Sequence, residues 1–253
     1  MIIKSFKLFE SSSDQEVHDT CDKYRIKNYS INEDGSIDVD GDVNLDSRKL
    51  SKLPLKFGKV SGEFYCPYNQ LTSLKGAPSH VGGYFYCSNN QLISLEGAPS
   101  YVGGGFYCHH NQLTSLEGAP SYVGGGFYCS YNQLASLEGA PSYVGLDFYC
   151  NYNQLTSLEG APSHVGRNFN CKYNQLTSLE FAPSHVGGDF DCFGNPIYEV
   201  YSLFYNKKCI ESINEYDVIQ GKNIVLSRLE EVYHDLGMEI PGKFNFNYYK
   251  LID

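Results

Sequence analysis

Cysteine has the most reactive side chain in this sequence, and seven of the nine cysteines recur at an interval of 21 residues. Metal sites use cysteines only a few residues apart, which this interval does not provide. Disulfides need Cβ atoms that point toward each other, whereas equivalent residues of stacked repeats point in parallel. We therefore expect buried core thiols, and no metal site, at Cys66, Cys87, Cys108, Cys129, Cys150, Cys171 and Cys192.

Two adjacent histidines, His109 and His110, are the next candidates for chemistry. Neighbouring residues on a strand point to opposite sides unless the backbone turns, and no carboxylate of the adjacent units lies nearby to assist them. The sequence also lacks a phosphate-binding loop, a G-x-S-x-G nucleophile motif and an H-E-x-x-H zinc motif. We therefore predict that the protein is not an enzyme and has no catalytic residues, no cofactor and no metal.

The cysteines belong to a longer repeat, F-x-C-x-x-N-Q-L-x-S-L-x-x-A-P-x-x-V-G. The Phe and the Cys alternate with outward residues, as a short half-buried strand requires. The Asn is a turn residue whose amide can bond the backbone of the neighbouring coil, which predicts a stacked asparagine ladder. The Pro- and Gly-containing half of the repeat is too short and broken for a helix, so we expect turns or one 3₁₀ turn there.

This repeat resembles the leucine-rich repeat, whose L-x-L-x-x-N-x-L core corresponds to Phe-x-Cys-x-x-Asn-x-Leu over roughly residues 43 to 200. The resemblance implies a repeat solenoid with parallel β-strands on its concave face and turns or 3₁₀ on its convex side. Phe and Cys at the two strand positions and an unusually short unit depart from the usual pattern. A single coil cannot bury its apolar face alone, so the coils must stack on one another.

The two ends of the array differ from its middle, which predicts three regions. Residues 1–42 form an N-terminal cap with a helix and an edge strand at 37–43, and residues 43–198 form the solenoid. Residues 199–253 form a mainly helical C-terminal cap. In that cap, Leu226, Leu229, Val232 and Leu236 follow a helical period that ends at Gly237.

Tyrosine dominates the outward positions around each cysteine, and by strand alternation we place these positions on the concave face. Stacked tyrosines can stabilise the sheet through contacts with their neighbours. Exposed tyrosine is also the residue most often used as a rigid anchor in protein interfaces. Both roles are open for this set, and we predict that its central members bind a protein partner: Tyr86, Tyr107, His109, His110, Tyr128, Tyr131, Tyr149, Tyr152 and Tyr173.

Two further columns have simpler interpretations. His80, Tyr101, Tyr122, Tyr143, His164 and His185 precede the repeated valines, and stacking contacts explain them adequately. Glu96, Glu117, Glu138, Glu159 and Glu180 are like charges about 5 Å apart, so we expect them to extend into solvent. The alternative for the glutamates is an acidic ridge for a basic partner.

Charge and hydropathy exclude some classes of partner. The formal net charge is -10, which argues against a nucleic acid or an anionic membrane as the main partner. No apolar run approaches the length of a membrane span, and residues 1–10 do not resemble a secretion signal. We therefore expect a monomer in a reducing, cytoplasmic compartment.

Three segments point to a narrower group of proteins. Residues 31–43, the stretch Leu53-Pro54-Leu55-Lys56-Phe57 and the segment 214–219 resemble leucine-rich-repeat proteins encoded by large tailed bacteriophages. The resemblance implies a viral protein in the host cytoplasm but no established activity. We predict a non-catalytic module that binds a host or phage protein, with a host defence as one possible target. The alternatives are a virion or spacer protein, and a small-molecule binder or enzyme that uses a cleft between cap and solenoid.

Overall fold

The structure, a computed structural model, describes residues 12–204 and 208–253. The prediction that residues 1–10 do not form a secretion signal concerns a segment outside these ranges. The described chain forms a β-solenoid of stacked coils in which most coils contribute two short strands. The strands build two separate sheets, each running the length of the solenoid. The predicted leucine-rich-repeat-like solenoid with parallel strands is confirmed.

The first sheet, called the tyrosine sheet here, has eight parallel strands, five of which contain the repeated Phe-Tyr pair. Its Phe side chains are buried and stack on each other, with ring centroids 5.3–5.5 Å apart from Phe64 to Phe190. The strands are β3 (Val43–Asn44), β5 (Phe64–Tyr65), β7 (Phe85–Tyr86), β9 (Phe106–Tyr107), β11 (Phe127–Tyr128), β13 (Phe148–Tyr149), β15 (Phe169–Asn170) and β17 (Phe190–Asp191).

The second sheet, called the valine sheet here, has nine strands and was not predicted. Each repeated strand is two residues long, with an outward His or Tyr followed by a buried Val. We expected turns in this half of the repeat, and the structure has turns or bends on both sides of this short strand. The strands are β1 (Tyr29–Ile31), β2 (Ile37–Val39), β4 (Phe57–Val60), β6 (His80–Val81), β8 (Tyr101–Val102), β10 (Tyr122–Val123), β12 (Tyr143–Val144), β14 (His164–Val165) and β16 (His185–Val186).

The predicted asparagine ladder is present along the whole array. In a central coil, the Asn132 amide donates to the carbonyls of Cys108 at 3.1 Å, Cys129 at 3.0 Å and Ser130 at 3.3 Å. The carbonyl oxygen of the same side chain accepts the backbone N–H of Leu113 at 3.0 Å. The side chain therefore satisfies backbone groups of its own coil and of the preceding one, which ties successive coils together.

Glycine permits the close stacking of the coils at the corner after each valine. A Cβ added to Gly145 would overlap the carbonyl oxygen of Gly124, and one added to Gly124 would overlap that of Gly103. None of these three residues has the left-handed φ that usually explains a repeated glycine. Glycine is required here because the backbones of successive coils approach so closely that there is no room for a Cβ.

The N-terminal end combines helix α1 (Ser12–Tyr24) with β1 and β2. The edge strand was predicted at 37–43, but β2 lies between β1 and β4, and β1 occupies the edge. This differs from the prediction because residues 29–31 fold back and pair antiparallel with β2. The first coil of the solenoid, residues 43–63, departs from the repeat sequence but keeps its register, since Val43 pairs with Phe64 and both are buried.

The C-terminal end contains α2 (Tyr198–Tyr201), α3 (Cys209–Glu215) and α4 (Leu226–Asp235). The predicted helical period is confirmed in α4, where Leu229 and Val232 are buried and Gly237 follows with φ 63°. A small sheet of β18 (Ile219–Gln220), β19 (Asn223–Val225) and β20 (Lys250–Ile252) was not predicted. No helix within 12–204 or 208–253 is both long and apolar enough to cross a bilayer.

Candidate functional site

The periodic cysteines are core residues, as predicted. All seven are fully buried, and the nine cysteines of the chain are free thiols. The thiol of Cys66 donates a weak hydrogen bond to the Tyr86 carbonyl of the next coil, with sulfur and oxygen 3.2 Å apart. Burial raises the pKa of each periodic thiol well above its usual value. Protonated, buried thiols are poor nucleophiles and poor metal ligands.

The outward residue of each Phe-Tyr pair forms an inner ladder of half-buried tyrosines. Ring centroids are 4.7 Å apart between Tyr65 and Tyr86, 4.5 Å between Tyr86 and Tyr107, and 4.4 Å between Tyr107 and Tyr128. These rings are nearly parallel, but Tyr149 meets Tyr128 edge-on at 5.3 Å. The ladder gives the tyrosine sheet a rigid aromatic surface whose rings cannot move independently.

Burial changes the acidity of this inner ladder. The pKa of Tyr86 is raised to about 12, mainly by loss of solvation and also by the neighbouring Tyr107 and Glu63 side chains. The same loss of solvation raises the pKa values of Tyr107 and Tyr128. The hydroxyls of these three tyrosines are therefore neutral hydrogen-bonding groups at neutral pH.

A second, outer ladder is formed by the residues that stand two positions after successive cysteines, where the backbone turns. Its stacked members are His110, Tyr131, Tyr152 and Tyr173. Its residues have left-handed φ values: 54° at His110, 56° at Tyr131 and Tyr152, and 51° at Tyr173. This turn resolves the question posed by the adjacent histidines, because it rotates His110 out of simple strand alternation. Asn89 and Gly194 are the members of this column that adopt such a φ most readily.

The outer ladder is more exposed than the inner one. Ring centroids are 4.3 Å apart between His110 and Tyr131, and 4.5 Å apart for each of the next two steps. Tyr131, Tyr152 and Tyr173 are 43%, 40% and 42% exposed. Their ring faces cover one another, so the edges and hydroxyl groups meet the solvent.

His109 connects the two ladders. Its ring lies 6.2 Å from that of Tyr107 and 5.5 Å from that of His110, both nearly perpendicular. Burial lowers the pKa of His109, and the neighbouring His110 lowers it further. The structure thus brings Tyr107, His109, His110 and Tyr131 into one aromatic cluster at the middle of the predicted set.

Sequence reasoning missed the residue that precedes each Phe. Gly105 and Gly126 lie beside the inner ladder, and a Cβ on Gly126 would meet the Tyr128 hydroxyl at 2.6 Å. In the next coil the same position is Asp147, whose carboxylate accepts a 3.4 Å hydrogen bond from Tyr128. The change from Gly to Asp between otherwise similar units was a visible signal that this position touches the ladder.

The glutamate column lies outside these ladders. Glu96, Glu117, Glu138, Glu159 and Glu180 are exposed, as expected for repelling charges. The backbone N–H of each glutamate donates a hydrogen bond to the Ser hydroxyl two residues earlier. Within the described ranges no group of three or more His, Cys, Asp or Glu side chains is placed to hold a metal ion.

A cleft does occur between the solenoid and the C-terminal cap. It has a volume of about 470 Å³ and is lined by Pro183, Val186, Phe190 and Ile210 together with polar groups. The titratable residues on its wall are His185, Lys208 and Glu211. This is the cleft that a small-molecule binder of the predicted kind would use.

No protein-family model matches the sequence, and neither does any curated protein. Among solved structures, the chain is similar to the leucine-rich-repeat domain of a Shigella effector, with 22% identity and a TM-score of 0.49. The similarity covers 75% of this chain and 80% of that domain. A likeness at this level carries no information on function, so the leucine-rich-repeat-like architecture rests on the coils described above.

Proposed function

We propose that the protein is a non-catalytic binding module whose tyrosine sheet contacts another protein. The observation that carries this proposal is the outer ladder, in which three tyrosines and a histidine occupy left-handed backbone positions and remain exposed. A left-handed φ costs roughly 1–2 kcal/mol for a residue with a Cβ. Stacking offsets part of this cost, at about 0.5–1.5 kcal/mol for an aromatic pair.

The chemistry of this surface suits a protein partner. Tyrosine supplies a large, rigid contact area and one hydroxyl, and it loses little conformational entropy on binding. In the ladder this entropy is already lost, because each ring is held between its neighbours. The inner ladder and His109 extend the same surface inward. The nine predicted contact residues therefore form one candidate interface, with Tyr131, Tyr152 and Tyr173 as its most accessible anchors.

The resemblance to phage-encoded leucine-rich-repeat proteins supports a finer proposal. In this form the partner is a host or phage protein in the cytoplasm of the infected bacterium, and binding interferes with a host defence. The net charge of -10 fits such a partner better than a nucleic acid.

The test compares two triple variants that carry the same chemical change on different sheets. The first replaces Tyr131, Tyr152 and Tyr173 with Ala, and the control replaces Tyr101, Tyr122 and Tyr143, which are 37–45% exposed on the valine sheet. Proteins recovered with the wild type from infected cells are identified, and their affinities for all three forms are measured with purified components. We expect the first variant to lose at least tenfold in affinity and the control to bind as the wild type does. Equal affinity of all three forms would refute the proposal.

Two alternatives have direct tests of their own. A virion or spacer role requires the protein to be present in purified phage particles, which mass spectrometry measures. A small-molecule role is favoured by the 470 Å³ cleft at the C-terminal cap. Replacing Glu211 with Gln and His185 with Asn would abolish ligand-dependent stabilisation if the cleft is the site, and would leave protein binding unchanged.

A further inference from the structure

The valine sheet presents a surface strip with almost no charge. The strip consists of six equivalent stretches, 77–83, 98–104, 119–125, 140–146, 161–167 and 182–188. None of these stretches contains Asp or Glu, and Arg167 is the only Lys or Arg in them, although the whole chain has 29 acidic residues. We call this surface the neutral strip. On a strongly acidic protein, such a strip is a region where a second acidic molecule meets less repulsion than elsewhere on the surface.

Aromatic rings form the raised centre of the neutral strip. They make two stacks, with centroids 4.3–4.9 Å apart and planes within 10° of parallel. Tyr101, Tyr122 and Tyr143 are 37%, 43% and 45% exposed, and Leu146 beside them is 40% exposed. The stacks are His80–Tyr101–Tyr122 and Tyr143–His164–His185.

The strip repeats at the spacing of β-strands, about 4.8 Å. Its ring faces are covered by neighbouring rings, so a ligand meets a periodic row of ring edges and hydroxyl groups rather than open aromatic faces. A partner that makes the same contact at every rung must have the same repeat. A second copy of this chain has that repeat and the same neutral surface.

The expected area sets the strength of such an association. Six rungs at about 4.8 Å span about 29 Å, and the five central residues of each stretch, at about 3.3 Å each, give a width of about 16 Å. The strip therefore covers about 460 Å² per copy, or about 900 Å² for two. Stable specific interfaces exceed about 1,000 Å² in total, so the contact falls in the weak, concentration-dependent class.

We propose that two copies of the protein associate weakly through their neutral strips, in a closed two-fold arrangement. This departs from the monomer expected from the sequence. With the two-fold axis perpendicular to the stacking direction, the two solenoids run antiparallel, so that Tyr122 of one copy faces Tyr143 of the other. The contact uses no residue of the tyrosine sheet, which leaves both candidate interfaces open.

Sedimentation velocity from about 5 to 500 µM tests the proposal. The wild type should shift toward a dimer as concentration rises, with a dissociation constant above about 1 µM. Added salt should strengthen the association, because it screens the repulsion between two acidic copies. A wild type that stays monomeric over the whole range, or a dimer that salt weakens, would overturn the proposal.

Charge variants identify the face that is used. An acidic variant, Y122E/Y143E, and a basic variant, Y122K/Y143K, should each be monomeric alone, and an equimolar mixture should form heterodimers. Circular dichroism and thermal melting establish that both variants fold. The matched control, Y131E/Y152E on the tyrosine sheet, should dimerise like the wild type. If the control abolishes the dimer while both strip variants retain it, the neutral strip is not the interface.

Discussion

Replacing Asn132 with Ala tests whether the asparagine ladder stabilises the stacked coils. The change removes three hydrogen bonds donated by the side chain and one that it accepts from the Leu113 N–H. The Cys108 and Cys129 carbonyls keep a second donor each, from Asn111 and Asn153. The main loss is therefore a buried Leu113 N–H without a partner, which costs about 1–3 kcal/mol.

The donated bonds come from two N–H groups, one of them shared between two carbonyls, and add about 0.5–1.5 kcal/mol per N–H in net terms, although their effects do not add fully. We therefore expect the Asn132→Ala variant to lose about 3–5 kcal/mol of unfolding free energy in a urea titration. Amide hydrogen exchange at Leu113 should accelerate in the same variant, which locates the loss. The control is Gln133→Ala at the next, exposed position, where we expect a change within about 0.5 kcal/mol.

The Asn132→Asp variant makes this reasoning sharper. An aspartate can still accept the Leu113 N–H, but its charged form places a second oxygen against the Cys108 and Cys129 carbonyls that now receive an amide donor. Burial and these carbonyls should raise its folded-state pKa above the unfolded value of about 3.9. The variant should therefore be least stable at neutral pH and regain stability as the pH falls toward about 4, where the protonated acid can donate. If Asn132→Asp proved as stable at pH 7 as the Gln133→Ala control, the proposed role of the amide would be refuted.

Three further predictions concern the stacking of the coils. Gly145→Ala places a Cβ against the Gly124 carbonyl and should lower the melting temperature clearly, whereas Gly242→Ala, with open space around it, should not. Leu134→Ala should cost about 2–5 kcal/mol as a buried truncation, and Glu138→Gln should be neutral or slightly stabilising in the same melts. Alkaline titration should destabilise the fold, because the folded-state pKa values of the buried thiols are raised and that of Tyr86 is raised to about 12. The unfolded chain therefore loses these protons at a lower pH than the folded protein does, and stability should fall from about pH 9 upward. Retained stability at pH 11, or a native protein whose thiols react readily with Ellman's reagent at pH 8, would contradict the last expectation.

Patterns with a short sequence period predicted the structure well. Burial of Phe127 and Cys129 follows from strand alternation alone, and the Asn132 ladder follows from the hydrogen-bonding capacity of a repeated turn amide. Helix α4 was predicted from the 3.6-residue period of Leu229 and Val232. In each case the information lies within a few residues of chain.

Features that depend on distant pairing were not predicted. The valine-sheet strand at Tyr122 is two residues long between Pro-Ser and Gly-Gly, and only its partners one repeat away reveal it as a strand. Strand β20 pairs with β19 across a helix and a long connection, and no local pattern marks that contact. At the candidate site, the left-handed turn at His110 had a signal, because the same column contains Asn89 and Gly194. The binding role of the nine residues stays a prediction.

The same joint connects every pair of central coils: an Asn amide, a stacked Phe and a glycine corner. Because each coil presents an equivalent upper and lower surface, removing or adding one complete 21-residue unit leaves matching surfaces in contact. The length of both aromatic ladders can therefore change in steps of about 4.8 Å without redesign of the interior. Recombination between the nearly identical coding repeats would then yield a series of proteins of graded reach, each fully folded. The number of repeats therefore sets the length of the contact surface, while the residues of each repeat set its chemistry.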